Sequence, residues 1–452
     1  FLPLIGGIMA DKFGYGKMVT IGIIVMFAGY LFLSIPLGGG VMGYAAMFGA
    51  LLLVSLGTGL FKGNLQVMVG NLYDAPELSA KRDSGFSIFY MAINIGALFA
   101  PTAAVRIKEW AEHSLGYSGN DAYHFSFAVA CVSLIVSMMI YYAFRSTFKH
   151  VEAGAGKSKK TDTAGTEEEL TPQQTKERIV ALCLVFAVVI FFWMSFHQNG
   201  LTLTFFADEF VSPKSEGVQT MAFDVINLVM IIFMVYSLMS FFQSKTSKAK
   251  LISTVVFLAA VGVLVYKYHN IGGPVDVSAP IFQQFNPFYV VALTPVSMAI
   301  FGALAAKGKE PTAPRKIAYG MIIAGSAYLL MVLASRGLLT PNEQTAAKAA
   351  GETVPFASGN WLIGTYLILT FGELLLSPMG ISFVSKVAPP KYKGTMMGGW
   401  FVATAIGNLL VSVGGFLWND IPLTIVWSVF IVLCLLSAGF MFLMMKRLEK
   451  VA

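Results

Sequence analysis

The sequence predicts an all-α polytopic membrane protein, and three observations carry that prediction. Hydrophobic residues make up 56% of the chain and charged residues only 12%, whereas a soluble domain is about one quarter charged. Apolar runs long enough to cross a bilayer as helices recur along nearly the whole length. Between them, Lys and Arg concentrate in alternate loops, the asymmetry that orients a chain in a membrane.

Residues 1–10 (FLPLIGGIMA) amount to half a span, so an upstream helix and part of the next are expected before them. Twelve runs follow, at about 18–37, 43–72, 85–107, 123–144, 179–207, 220–243, 250–266, 281–305, 316–335, 361–385, 395–417 and 423–445. With the loop at 11–17 placed in the cytoplasm, alternation puts 24 of the 31 Lys and Arg on that side. Arg106, Lys108, Lys214, Lys267, Arg336 and Lys348 fall at external segments or span ends, and Lys62 alone stays within a span. The net charge of +7 is thereby a matter of topology and not a nucleic-acid-binding surface. Trp110, Trp361 and Trp418 fall at external boundaries, where interfacial anchors belong. Residues 149–177 are polar and rich in Gly, Thr and charge, a cytoplasmic linker between halves 1–148 and 178–452.

Two charges stand at membrane depth. Glu373 lies near the middle of an apolar run, with Ser377 one turn further on the same face. An ionisable side chain there costs about 3 kcal/mol or more, so it faces a cavity or a partner. The plain alternative is a structural carboxylate neutralised by a neighbouring helix. Lys62 is its match. Lys62 precedes Ile95-Gly96 by the spacing at which Glu373 precedes Ile406-Gly407, and Phe89-Tyr90 share an offset with Trp400-Phe401. This reads as an internal repeat, helix–basic loop–helix, once in each half. Transporters built from parallel repeats hold their substrate between the halves. Lys62 and Glu373 would then face each other across a central cavity and partly neutralise each other, directly or through water, and such a cavity suits a zwitterion.

No His/Cys/carboxylate cluster has metal-ligand spacing, and no Walker-type loop or nucleophile–base pair is present. The expectation is a transporter and not an enzyme, with no metal and no organic cofactor. His197, in FWMSFHQNG, is either a neutral hydrogen-bonded core residue or a proton relay. Gln198 and Asn199 either line the cavity or join helices. Pro287 and Pro378 are candidates to kink their helices.

Four stretches carry a family resemblance. GGIMADKFGYGKMVTI resembles the loop between the second and third helices of major facilitator transporters. LGTGLFKGNLQVMVGNLYD with SGFSIFYMAINIGALFAP, QQFNPFYVVALTP, and GELLLSPMGISFVSKVAPPKYKGTMMGGWFVATAIGN resemble helices of the proton-dependent oligopeptide transporters. The resemblance implies a major facilitator fold of two six-helix bundles, working as a monomer in the bacterial cell membrane, with protons as coupling ion and di- and tripeptides as cargo. It gives Lys62 the peptide carboxylate, Asn286 and Glu373 the amino end, and Asn94, Ser377 and Trp400 the wall of the site. Asp208, in FFADEF, takes the external gate and proton coupling. A different small zwitterion or anion, or a sensor that binds without transport, are the alternatives. The family's first-helix ExxERFxYYG motif is absent from this sequence. An extra helical pair at about 220–266 follows the seventh core helix and is expected to pack peripherally.

The charge distribution makes the linker and the carboxyl end cytoplasmic. A cysteine at Ser158→Cys should resist a membrane-impermeant thiol reagent in intact cells and react after lysis; efficient labelling before lysis would overturn the topology.

Overall fold

A computed structural model describes residues 1–36, 40–117, 121–153 and 170–451, so that most of the expected linker (154–169) lies outside the described residues. A partial span, α1 (Leu2–Phe13), turns at Gly14 into α2 (Tyr15–Leu33). Gly14 holds φ 103°, a left-handed conformation that a side chain would strain. There follow α3 (Val41–Asn71), α4 (Arg82–Leu115) and α5 (Tyr123–Ala143). The second half opens with α6 (Pro172–Phe196), broken at His197–Gly200 and resumed as α7 (Thr202–Phe210). An inserted hairpin, α8 (Val225–Gln243) and α9 (Ser247–His269), precedes α10 (Phe285–Ala306) and α11 (Ala313–Ala334). The chain closes with α12 (Gly359–Val387), α13 (Lys393–Leu410) and α14 (Leu423–Leu443). Among the described residues twelve helical stretches are long and apolar enough to span a membrane, one for each apolar run.

α6 starts earlier than hydropathy indicated. Thr171 and Gln174 form a reciprocal capping box ahead of a polar first turn, so residues 172–177 are helix and not linker.

The two halves meet in a crossed pattern. α1 and α3 of the first half pack on α13, and α10 and α12 of the second pack on α4. The first helix of each repeat thus faces the second helix of the other, as two halves related by an axis along the membrane normal require. Lipid removes the hydrophobic driving force between helices, so close packing must supply the attraction. A Cβ on Gly7 would sit 2.1 Å from the Gly394 carbonyl oxygen, and one on Gly398 would sit 2.5 Å from Leu4 Cα. Only glycine allows α1 this close to α13. Asp11, at the end of α1, then accepts the backbone N–H groups of Gly394 and Thr395 (both 2.8 Å) in the first turn of α13, where a carboxylate meets the positive end of the helix.

Two expectations change. Pro287 lies in the first turn of α10, where proline is tolerated; the interior proline is Pro295. Having no N–H, Pro295 leaves the Val291 carbonyl without its helical partner. Tyr236 of the inserted α8 donates its hydroxyl to that oxygen (3.2 Å) and touches the Met91 sulfur on α4. The hairpin lies on the outside, with α9 packed mainly on α8, yet α8 reaches both halves. Trp418 is no lipid anchor either. It is 2% exposed, inside a cluster with Phe205, Phe210 and Trp427, and donates to the Glu209 carboxylate (3.1 Å).

Asp224 caps α8 through Ile226 N–H (2.8 Å) and pairs with Lys267 across the hairpin. Asp224→Asn keeps a good cap and loses a half-exposed pair contributing about 1 kcal/mol or less, so most uptake should survive. Tyr236→Phe strands a buried carbonyl and should lower stability in detergent by roughly 1–2 kcal/mol. Unchanged unfolding of Tyr236→Phe would show that another group satisfies Val291.

Candidate substrate site

Glu373 sits midway along α12, 3% exposed. Both carboxylate oxygens are engaged. Asn286, in the first turn of α10, donates Nδ2 to Oε2 (2.7 Å) and also to Thr370 Oγ1 (3.1 Å). Tyr90, from α4 of the opposite half, donates its hydroxyl to Oε1. Asn94 stands one turn beyond and donates to the Tyr90 carbonyl (3.0 Å), bracing the same turn. Ser377 is 1% exposed on the Glu373 face, beside the Tyr90 hydroxyl.

Lys62 lies within α3 and is accessible despite its depth. Its ammonium rests over the ring of Phe401, 5.1 Å from the centroid. No direct Lys62–Glu373 ion pair forms among the described residues, so of the two routes expected for their neutralisation, direct or through water, the direct one is not seen. Each charge instead meets an aromatic ring from the other half. By the repeat offset, Tyr90 and Phe401 are equivalent positions, and chemistry distinguishes them: the carboxylate receives an O–H donor, the ammonium a bare π face. Neither aromatic was singled out as a site residue in the sequence. The signal was their shared offset, which marked the repeat.

His197 ends α6 at the break. Its ring stacks on Trp193 at 4.9 Å, its neighbours include Asn408 and Lys62, and Nδ1 has no partner among the described residues. Gln198 joins helices: it donates to the Met194 and Val411 carbonyls (both 3.1 Å) and accepts from Thr202 (3.0 Å). A broken helix at membrane depth requires such stitching, because lipid satisfies no backbone groups. Trp400 is 2% exposed, lodged against Gly380, where a Cβ would approach the ring to 2.0 Å, and against Phe186. Asp208 is exposed near the C-terminal end of α7, apart from this cluster, while its neighbour Glu209 turns toward Trp418. The structure therefore gathers Glu373, Asn286, Asn94 and Ser377, keeps Lys62 and His197 as a second group, and leaves Asp208 apart from both near the C-terminal end of α7.

The sequence pattern of the POT family matches residues 16–165 and 267–426. The chain belongs to the POT family. Relatives include the uncharacterized transporter YclF of Bacillus subtilis, 28% identical over 99% of this chain and 82% of that protein. The peptide transporter YePEPT of Yersinia enterocolitica is 26% identical over 91% of this chain and 75% of its own length. The di-/tripeptide transporter of Lactococcus lactis subsp. cremoris is 27% identical over 90% and 76%. Among solved structures, a POT family transporter in complex with 5-aminolevulinic acid superposes with a TM-score of 0.62 at 18% identity, covering 99% of this chain and 86% of that one. A bacterial homologue of the human drug peptide transporters PepT1 and PepT2 gives 0.59 at 17%, covering 100% and 88%. These likenesses establish the fold, a major facilitator arrangement as in other POT proteins, and a multi-pass membrane location. The matched segments omit 166–266, which hold α6, α7 and nearly all of the inserted hairpin.

The crossed contacts hold the halves together at the site. A double-mutant cycle of Tyr90→Phe with Glu373→Gln, read by unfolding in detergent, should give a coupling of about 1.5–3 kcal/mol. Lys62→Gln with Phe401→Leu should give about 0.5–2 kcal/mol. Additive effects in the first cycle would show that Tyr90 does not hold the carboxylate.

Proposed function

We propose that this POT family member is a proton-coupled symporter that imports di- and tripeptides by alternating access across a bacterial cell membrane. One observation carries the reading: a cation and a carboxylate stand at membrane depth on equivalent helices of the two halves, each held by the other half's aromatic residue. A dipeptide carries the complementary charges at its two ends. Its carboxylate draws Lys62 off Phe401, since an ion pair away from bulk water outweighs a cation–π contact. Its ammonium joins Glu373 beside Asn286. Asn94 and Ser377 complete that end, and Trp400 backs the wall through α13.

Moving peptide charges onto groups already tied to the opposite half changes the contacts that hold the halves together. Binding is thereby linked to the rocking motion that alternating access needs. Protons are the coupling ion, with Glu373 and His197 the groups that exchange them near the peptide and Asp208 gating the external end. The peptide names of the relatives support this cargo, and the single-chain site fits a functional monomer.

Uptake into sealed vesicles by the full-length protein tests the driving force: an inward proton gradient should raise accumulation of a labelled dipeptide well above the ungraded control. Indifference to the gradient would exclude proton coupling. Orientation is read by competition. Glu373→Gln should weaken peptides with a free amino end more than their acetylated counterparts, by about tenfold or more. Lys62→Gln should erase the preference for a free carboxylate over an amide. Equal loss of both ligand kinds in both variants would show that the pair acts on gating and does not orient the peptide.

A further inference from the structure

The cytoplasmic ends of the two halves are tied by polar contacts with a consistent polarity. Asp11, Asp74 and Asp83 of the first half receive the start of α13, Lys393 and Lys316 of the second. Arg82 donating to Ser385 (3.0 Å) is the reverse case. Lys316 stands apart. Its side chain is 2% exposed, and it holds two carboxylates at once: Asp83 across the interface (2.9 Å) and Glu310 of its own half (2.6 Å). Phe301 lies under the ammonium, 4.8 Å from the ring centroid, and Ser382 donates to the other Asp83 oxygen (2.6 Å). Beside this cluster a cavity of about 140 Å³ runs between α4 and α10, past Ser87 and Ser297, to Leu374, the residue after Glu373.

We propose that Lys316 is the latch of a cytoplasmic gate and that Glu310 is the partner to which it is handed when the halves part. A buried ammonium stripped of its only carboxylate is strongly unfavourable. Separation of the halves takes Asp83 away from Lys316 and from Ser382, which stays with the lysine's half. Glu310, just before α11 in the same half, moves with the lysine and keeps it paired, while Asp83, already about one third exposed, passes into water. The two carboxylates therefore act in opposite senses. Asp83 holds the gate shut. Glu310 lowers the barrier to opening, because without it the lysine's remaining carboxylate lies across the interface.

The inference rests on the transport reading for its rate arm alone. In the full chain with Cys131, Cys183 and Cys434 replaced by Ser, Ser87→Cys reports the cavity through its alkylation rate by a maleimide in purified protein. Asp83→Asn should raise that rate about tenfold, Glu310→Gln should lower it several-fold, and Asp83→Glu should return it toward the parent value. In vesicles Glu310→Gln should cut the maximal uptake rate with KM little changed. Faster labelling in Glu310→Gln, as in Asp83→Asn, would reduce Glu310 to one more closing contact and overturn the handover. Unchanged labelling in both would remove the latch. Opposite labelling shifts with no proton-driven uptake in any variant would sustain the gate and refute the transport reading.

Discussion

Two charges at membrane depth constrain this fold more than any other feature. A cation or carboxylate in the span of a helix must be paired, hydrated or facing a cavity. Here each finds its partner on the other half: Glu373 on the Tyr90 hydroxyl, Lys62 on the Phe401 ring. The arrangement makes the interface between halves both the most polar part of the membrane region and the place where the halves grip each other. Packing against lipid could not produce it. The proposed exchange of partners by these charges requires two halves that are rigid in themselves and adjustable between.

Rigidity within and adjustability between have visible sources. Glycine-to-backbone approaches bring α1 directly onto α13, and Asp11 ties the cytoplasmic-loop end of that contact through Gly394 and Thr395. Where backbone hydrogen bonds are broken, side chains repair them from nearby: Gln198 at the α6–α7 break, Tyr236 at Pro295. The second repair comes from the inserted hairpin, which gives that insertion a structural role. By touching Met91 as well, Tyr236 extends α8 over the groove between α4 and α10, where the halves meet.

Much of this was legible in the chain. Hydropathy located each of the twelve spans, because a bilayer imposes one length and one polarity on every crossing helix. The repeat that relates Lys62 to Glu373 was visible as matched offsets, and the crossed packing of α3 on α13 and α12 on α4 is its physical expression. The site was half legible. Glu373 and Asn286 meet as expected, whereas Tyr90 and Phe401 entered the sequence reading as repeat markers. An aromatic residue in an apolar helix carries no local sign of what its edge or face touches. Trp418 and Pro287 were misplaced for a related reason: position along a helix indicates depth and says nothing of azimuth or of which turn is first.

The sequence by itself determined that the chain is a multi-pass membrane protein, where its apolar spans lie and that two stretches of it repeat, since these follow from composition, length and spacing along one dimension. Tertiary structure decided which partner each buried polar group receives. That choice depends on the rotation and separation of helices hundreds of residues apart, as between Tyr90 and Glu373 or Asp83 and Lys316. Pairing across the interface is set by geometry that no short stretch of chain encodes, and the candidate chemistry of this protein lies in those pairings.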